Sequence, residues 1–178
     1  RVLANALASK VDDPRFDNSA MDGFAVRVSD CADSGAVLRI VGTSAAGGEA
    51  PPAVSAGEAC RIMTGAPLPK GADAIVMVED TAVEGDSVTI LGPARPNFIR
   101  RRAENLAKGQ EALPSGASLT PASLALAATM GHGEVEVIAR PRIAVLSTGD
   151  ELVPAGSELS VGQIHESNSH AIASLVED

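Results

Sequence analysis

The chain has 178 residues, a formal net charge of −9 and 45% hydrophobic residues, with three Phe and neither Trp nor Tyr. That length bounds it to one large or two small domains, able to bury roughly 70% of the unfolded surface without disulfides or a structural metal. The acidity opposes nucleic acid and anionic membranes, the missing aromatics remove a base-stacking platform, and neither a signal peptide nor a bilayer-length apolar run is present. Cys31 and Cys60 are far apart and form no CxxC pair; they read as reduced thiols of a cytoplasmic protein, with a single disulfide left open. Residue 1 is Arg, and Ala171 to Asp178 reads as a helix stopped in mid-course, so the expectation is a fragment of a longer protein.

In chain order, the first ten residues suggest a short helix or strand. Residues 15–27, RFDNSAMDGFAVR, predict a turn-rich loop entering a strand. Val37 to Val41 is a strand candidate, and Thr43 to Pro52 a loop. Ala59 to Met63 alternates as a strand. Thr64 to Gly71 is a loop, and Ala74 to Val78 is a strand of the buried type. Thr81 to Glu84 and Ser87 to Leu91 predict a hairpin across Gly85-Asp86. Asn97 to Arg102 reads as a further strand. Thr120 and Pro121 are an N-cap followed by proline at the first helical position, opening a helix over Ser123 to Met130 that Gly131 stops. Val135 to Ile138 is a strand. Arg142 to Leu146 is a short apolar run of the kind buried on both sheet faces. A second helix starts near Ser167 to Ser169, with Ile172, Leu175 and Val176 on one face.

Four stretches carry possible chemistry. Asp17 and Asp22 supply oxygen ligands for a divalent cation, or simply cap turns. Thr64-Gly65-Ala66-Pro67 offers a hydroxyl and free N–H groups to an oxyanion, or is a plain strand exit. Arg100-Arg101-Arg102 precedes Ala103, Glu104 and Asn105; its guanidinium forks suit phosphate, or guard a solvated edge. Ser147-Thr148-Gly149-Asp150-Glu151 follows the apolar run at Arg142 to Leu146. Donors and acids directly after such a strand are where α/β sheets bind ligands, so here the functional reading is preferred. His132, His165 and His170 have no zinc spacing, and the Gly42 to Gly48 loop lacks the P-loop and dinucleotide patterns.

Together, FDNSAMDGFAVR, RIMTGAPLPKGADAIVMVED, IRRRAEN and IAVLSTGDELV, followed by GQIHESN, resemble the signature blocks of the MoeA family. This is the molybdopterin molybdenumtransferase family, which includes the E domain of gephyrin. The resemblance spans nearly the whole chain. It implies a multidomain α+β fold: a mainly-β N-terminal region of two domains, then the truncated start of an α/β molybdopterin-binding domain. The implied division gives residues 1–9 and 105–140 to the first domain, 10–104 to the second and 141–178 to the third. It further implies that the parent protein is a homodimer inserting molybdate into adenylylated molybdopterin with release of AMP and a need for Mg²⁺. The fragment alone is expected to be inactive.

Carried over residue by residue, the resemblance makes Asp22, Thr64 and Glu151 catalytic. It places Ser147, Thr148, Gly149, Ser167, Asn168, Arg101 and Arg102 against the cofactor substrate, and Asp22, Asp150, Glu151 and Asn105 around the metal. Asp17 is expected to shape its loop. One departure stands out: family members end the arginine block in Gly-Glu-Asp or a similar acid, where this chain has Ala103-Glu104-Asn105. The alternative is a non-catalytic scaffold on the same fold.

Overall fold

The computed structural model of the chain describes residues 1–32 and 35–177. Asp178, the last residue of the expected second helix, lies outside them. The chain divides into two compact units, Arg1–Ile138 and Ala139–Asp178. It is mostly β with few helices, and among the described residues no helix is long and apolar enough to cross a membrane.

Among the described residues, ten strands make up the sheets of the first unit: β1 Leu7–Ala8, β2 Asn18–Ser19, β3 Gly23–Val26, β4 Val37–Ser44, β5 Glu58–Ile62, β6 Ala74–Met77, β7 Thr81–Glu84, β8 Ser87–Ile90, β9 Ile99–Arg100 and β10 Glu111–Leu113. Six of them form one sheet in the order β6-β3-β5-β4-β8-β7. Its neighbours are antiparallel except β4 and β5, which run parallel. Strand β3 lies inside this sheet and is buried along its whole length. Side chains alternate across a strand, so its residues feed two cores. Phe24 and Val26 join Leu38, Val76, Val88 and Ile90 on one face. Ala25 joins Cys60, Ile62, Ile75 and Ile99 on the other. A third cluster, Leu3, Leu7 and Ala127, sits where β1 pairs with β10 beside helix α1, Pro121–Thr129.

Several expectations hold. The hairpin forms in the expected register, with Thr81 opposite Ile90 and Glu84 opposite Ser87. The Thr120 side chain accepts from the Ser123 N–H and completes a capping box, with Pro121 at the helix start. Others are corrected. Residues 97–102 are not one strand: Pro96–Phe98 is a 3₁₀ turn and only Ile99–Arg100 pairs, with β2. Proline at the head of that turn fixes φ and lacks an N–H for a ladder. Val135 to Ile138 makes a single bridge, Leu3 to Val137, instead of a strand. For the opening residues, where the sequence leaves helix and strand both open, the structure has strand β1.

The second unit contains β11 Leu152–Val153 and β12 Ile164–His165, paired in parallel, and helix α2 Asn168–Glu177. The run Arg142 to Leu146 is not a buried strand: Ile143 is 58% and Leu146 87% exposed. A doubly covered strand needs neighbours on both edges and layers on both faces, and no strand pairs with this run among the described residues.

The centre of the large sheet rests on a missing side chain. A Cβ on Gly23 would lie 2.0 Å from the carbonyl oxygen of Val76 in β6, a backbone atom that cannot swing aside. Gly23→Ala is therefore expected to destabilise the chain by about 3 kcal/mol or more, as overpacking against backbone does. Gly133→Ala, where nothing lies within 4 Å of the new Cβ, is the control and should leave the melting temperature nearly unchanged. Equal thermal melting of the two variants would contradict this account.

Candidate functional site

The register of β3 and β5 sets the first group of side chains. Gly23 lies opposite Ile62, so Asp22, just before β3, and Thr64, just after β5, come to the same end of the sheet. There the two loops lock together. Gly65 N–H donates to the Ser19 carbonyl at 2.8 Å, and Ser19 N–H to the Ala66 carbonyl at 3.1 Å. The buried Ser19 hydroxyl turns inward onto the Met21 carbonyl at 2.5 Å. The Ser44 hydroxyl holds the Pro67 carbonyl at 2.7 Å. Gly65 takes a φ of 80°, which a side chain would disfavour.

Asp22 and Thr64 close the junction. Asp22 Oδ1 accepts the Thr64 N–H at 2.6 Å and the Thr64 hydroxyl at 2.7 Å. These bonds, the hydroxyl's first, hold the Asp22 carboxyl below its ordinary value, with Arg61 adding a smaller attraction. The second carboxylate oxygen, Oδ2, takes no part in the clasp, and both residues are exposed. An ionised acceptor thus fixes an exposed hydroxyl.

The arginine block is held by acids from the start of the chain. Asp17 accepts the Arg102 N–H at 2.8 Å and pairs with the Arg101 guanidinium at 2.7 Å. Asp12 accepts the Lys108 N–H at 2.8 Å and pairs with the Arg102 guanidinium at 2.5 Å. Asp13 accepts the Asn105 amide at 3.0 Å. Arg101 and Arg102 each already pair with a carboxylate within the chain, through part of the five-donor guanidinium. Asp17 shapes the loop, as expected of it. Asp12 and Asp13 were missed, although the acidic pair before Pro14 was a visible signal. Ala103 takes a φ of 62°, the left-handed region that favours glycine.

In the second unit, residues 147–151 and 166–169 meet. The Ser147 hydroxyl donates to Glu166 Oε1 at 2.8 Å, and the same oxygen accepts the Ser169 N–H at 2.7 Å. Glu166 Oε2 accepts the Ser169 hydroxyl. Those bonds, led by the Ser169 hydroxyl, bring the Glu166 carboxyl down to about 2. Glu166 also escaped the sequence reading; an acid three residues before a helix serine was its only signal. Ser167 and Asn168 sit at the start of α2, where the Ser167 carbonyl accepts the Ala171 N–H at 3.1 Å. The Glu151 carboxylate folds over Gly149, with Oε2 only 2.6 Å from where a Cβ would stand. Thr148 and Asp150 lie exposed in the same loop.

Hard oxygen donors such as Asp22, Asp150 and Glu151 fit Mg²⁺ in chemical kind, since that ion takes one or two carboxylates and completes its shell with water and phosphate. Among the described residues no group of three or more His, Cys, Asp and Glu side chains is arranged to hold a metal ion. The expected fourth ligand, Asn105, gives an amide N–H to Asp13, and its Oδ1, the atom that would face a cation, takes no part in that bond.

The sequence profile of the MoeA N-terminal region (domain I and II) matches residues 1–131. The chain belongs to the MoeA family. A molybdopterin molybdenumtransferase of Haemophilus influenzae is 42% identical over 179 residues, covering 99% of this chain and 44% of that protein. Molybdopterin molybdenumtransferase 2 of Mycobacterium tuberculosis H37Rv is 45% identical over 184 residues, with 99% and 45% covered. The crystal structure of a molybdopterin biosynthesis MoeA protein from Pyrococcus horikoshii OT3 superposes with a TM-score of 0.88 at 34% identity, over 99% of this chain and 48% of that one. The chain thus spans less than half the length of these MoeA proteins.

The acid clamps carry a pH signature. Asp12, Asp17 and Asp22 all have carboxyls held below their ordinary value. A depressed folded-state value gives stability that is present above the unfolded value and lost as pH falls through the folded one. Asp17→Asn should lower the melting temperature at neutral pH. The gap to the parent chain should narrow as pH drops below about 4, where the unfolded carboxylate protonates. A gap that stays constant down to about pH 2 would show that the charge of Asp17 is not what holds Arg101 and Arg102.

Proposed function

We propose that the complete protein works in molybdenum cofactor biosynthesis, taking adenylylated molybdopterin and molybdate and releasing AMP, as a cytoplasmic homodimer. The observation that carries this reading is the Asp22–Thr64 clasp within a MoeA chain. The names of its relatives support it. In the reaction, two dithiolene sulfurs replace oxygen on molybdate, the displaced oxygen leaves as water, and water cleaves the phosphoanhydride to free AMP. Molybdenum keeps its oxidation state, so no electron donor is required.

The roles of this chain's residues follow from their bonds. Asp22 stays ionised because Thr64 donates to it twice, and it fixes the Thr64 side chain in one rotamer. Thr64 Oγ1, its hydrogen committed to Asp22, offers lone pairs to a substrate donor or to water. Asp150 and Glu151 would hold Mg²⁺, which when bound neutralises phosphate charge. The backbone N–H groups of the Thr148-Gly149 turn suit an anionic group.

The scaffold reading keeps one observation in its favour. Asn105, which gives an amide N–H to Asp13, stands where the resemblance implies an acid, one negative charge fewer where a cation ligand is expected.

The deciding assay supplies the complete protein with adenylylated molybdopterin, Mg²⁺ and molybdate, and follows AMP and cofactor. Stoichiometric AMP release is expected. Asp22→Ala and Thr64→Ala should each lose about a hundredfold in turnover, the scale seen on removal of a positioned polar group, with only a small drop in melting temperature, as loss of an exposed contact gives. Tight substrate binding with no AMP release would favour the scaffold, and Asn105→Asp would then be the variant to assay.

A further inference from the structure

Three hydrogen bonds converge on Glu166, and their directions are fixed by chemistry. An ionised carboxylate only accepts. Ser147 Oγ, 2.8 Å from Glu166 Oε1, must therefore donate its one hydrogen to Glu166. Ser169 occupies the remaining near side of the carboxylate with its N–H at 2.7 Å and its hydroxyl. The acid is anchored to the first turn of α2, so it cannot follow Ser147 if the loop shifts. Glu166 stays ionised through the neutral range because these donors lower its pKa to about 2.

A hydroxyl whose hydrogen is already given away can only accept from a ligand. A phosphate oxygen, itself an acceptor, finds no donor at Ser147 Oγ and meets the nearby negative charge of Glu166. We infer that Glu166 is a positioning residue that turns Ser147 into an obligate acceptor, so that Ser147 takes an N–H of the ligand, such as an amine or ring N–H of a pterin, and not its phosphate. The inference rests on the reading above that residues 147–151 line the substrate pocket. The anionic part of the substrate is then left to the N–H groups further along the turn, and the pocket has a polarity along residues 147–149.

The sign of one effect tests this. In the complete protein, Glu166→Gln removes the negative charge and lets an amide N–H point at Ser147, which frees the hydroxyl to donate. If Ser147 accepts from a ligand N–H, the variant should bind adenylylated molybdopterin about tenfold more weakly, the scale of one hydrogen bond. Ser147→Ala should lose a similar factor, and Glu166→Gln should add nothing in the Ser147→Ala background. Binding that is unchanged or tighter in Glu166→Gln overturns the inference, because a phosphate partner gains from that change. An equal loss from Glu166→Gln with and without Ser147 also overturns it, since the effect would then run through the start of α2 alone; Ser169→Ala, which removes a capping hydroxyl only, measures that contribution. A parent protein that does not bind adenylylated molybdopterin at all removes the functional reading and this inference with it. Binding by the parent with the wrong sign in Glu166→Gln removes the inference alone.

Discussion

Strand β3 can sit between β5 and β6 only because residue 23 carries no side chain. The 2.0 Å that would separate a Cβ from the Val76 carbonyl leaves no room for any other residue. With β3 seated there, Phe24 and Val26 reach one core and Ala25 the other, and both faces of the sheet are filled by a chain nearly without aromatics. The same seating puts Asp22 at the strand's mouth. A glycine that looks like a turn former is, in the folded chain, what allows the central strand to close and what aims its neighbouring acid.

From that point the polar groups are organised as acids restraining donors. Asp22 holds Thr64, Asp17 holds Arg101 and the backbone of residue 102, and Asp12 holds Arg102 and the backbone of residue 108. These contacts are exposed, so their energetic worth is modest. Their consequence is geometric. Each fixes a loop that has no regular structure of its own, and together they join the start of the chain to residues 100–108. The net acidity of the sequence is thus partly structural, since several of its carboxylates are consumed internally. Arg101 and Arg102 are the clearest case of residues whose type suggests a ligand and whose neighbours supply one from within.

The second unit follows the same logic with a different donor set. Glu166 gathers Ser147, the Ser169 N–H and the Ser169 hydroxyl, and so ties the 147–151 loop to the start of α2. In both units an ionised acid commits a hydroxyl's hydrogen. Thr64 and Ser147 are therefore comparable groups: each is a hydroxyl whose hydrogen goes to a carboxylate.

The sequence by itself determined the local signals. The Gly85-Asp86 hairpin, the Thr120-Pro121 helix start, the strand at residues 74–77 and the α2 helix were legible because each depends on a turn residue, a cap or a run of one periodicity. The family blocks marked Asp22, Thr64 and Ser147 for the same reason: their motifs are contiguous. Tertiary structure decided what contiguity cannot encode. Val135 to Ile138 meets Leu3 at one bridge only, and the apolar run at Arg142 to Leu146 lies exposed, because strand formation depends on a partner that periodicity does not supply. The partners of Arg101, Arg102 and Asn105 lie 84 to 92 residues away in the chain, and the hydrogen that Ser147 gives up goes to an acid 19 residues on. Residue type sets what a side chain can donate or accept, and only the fold sets which neighbour claims it first.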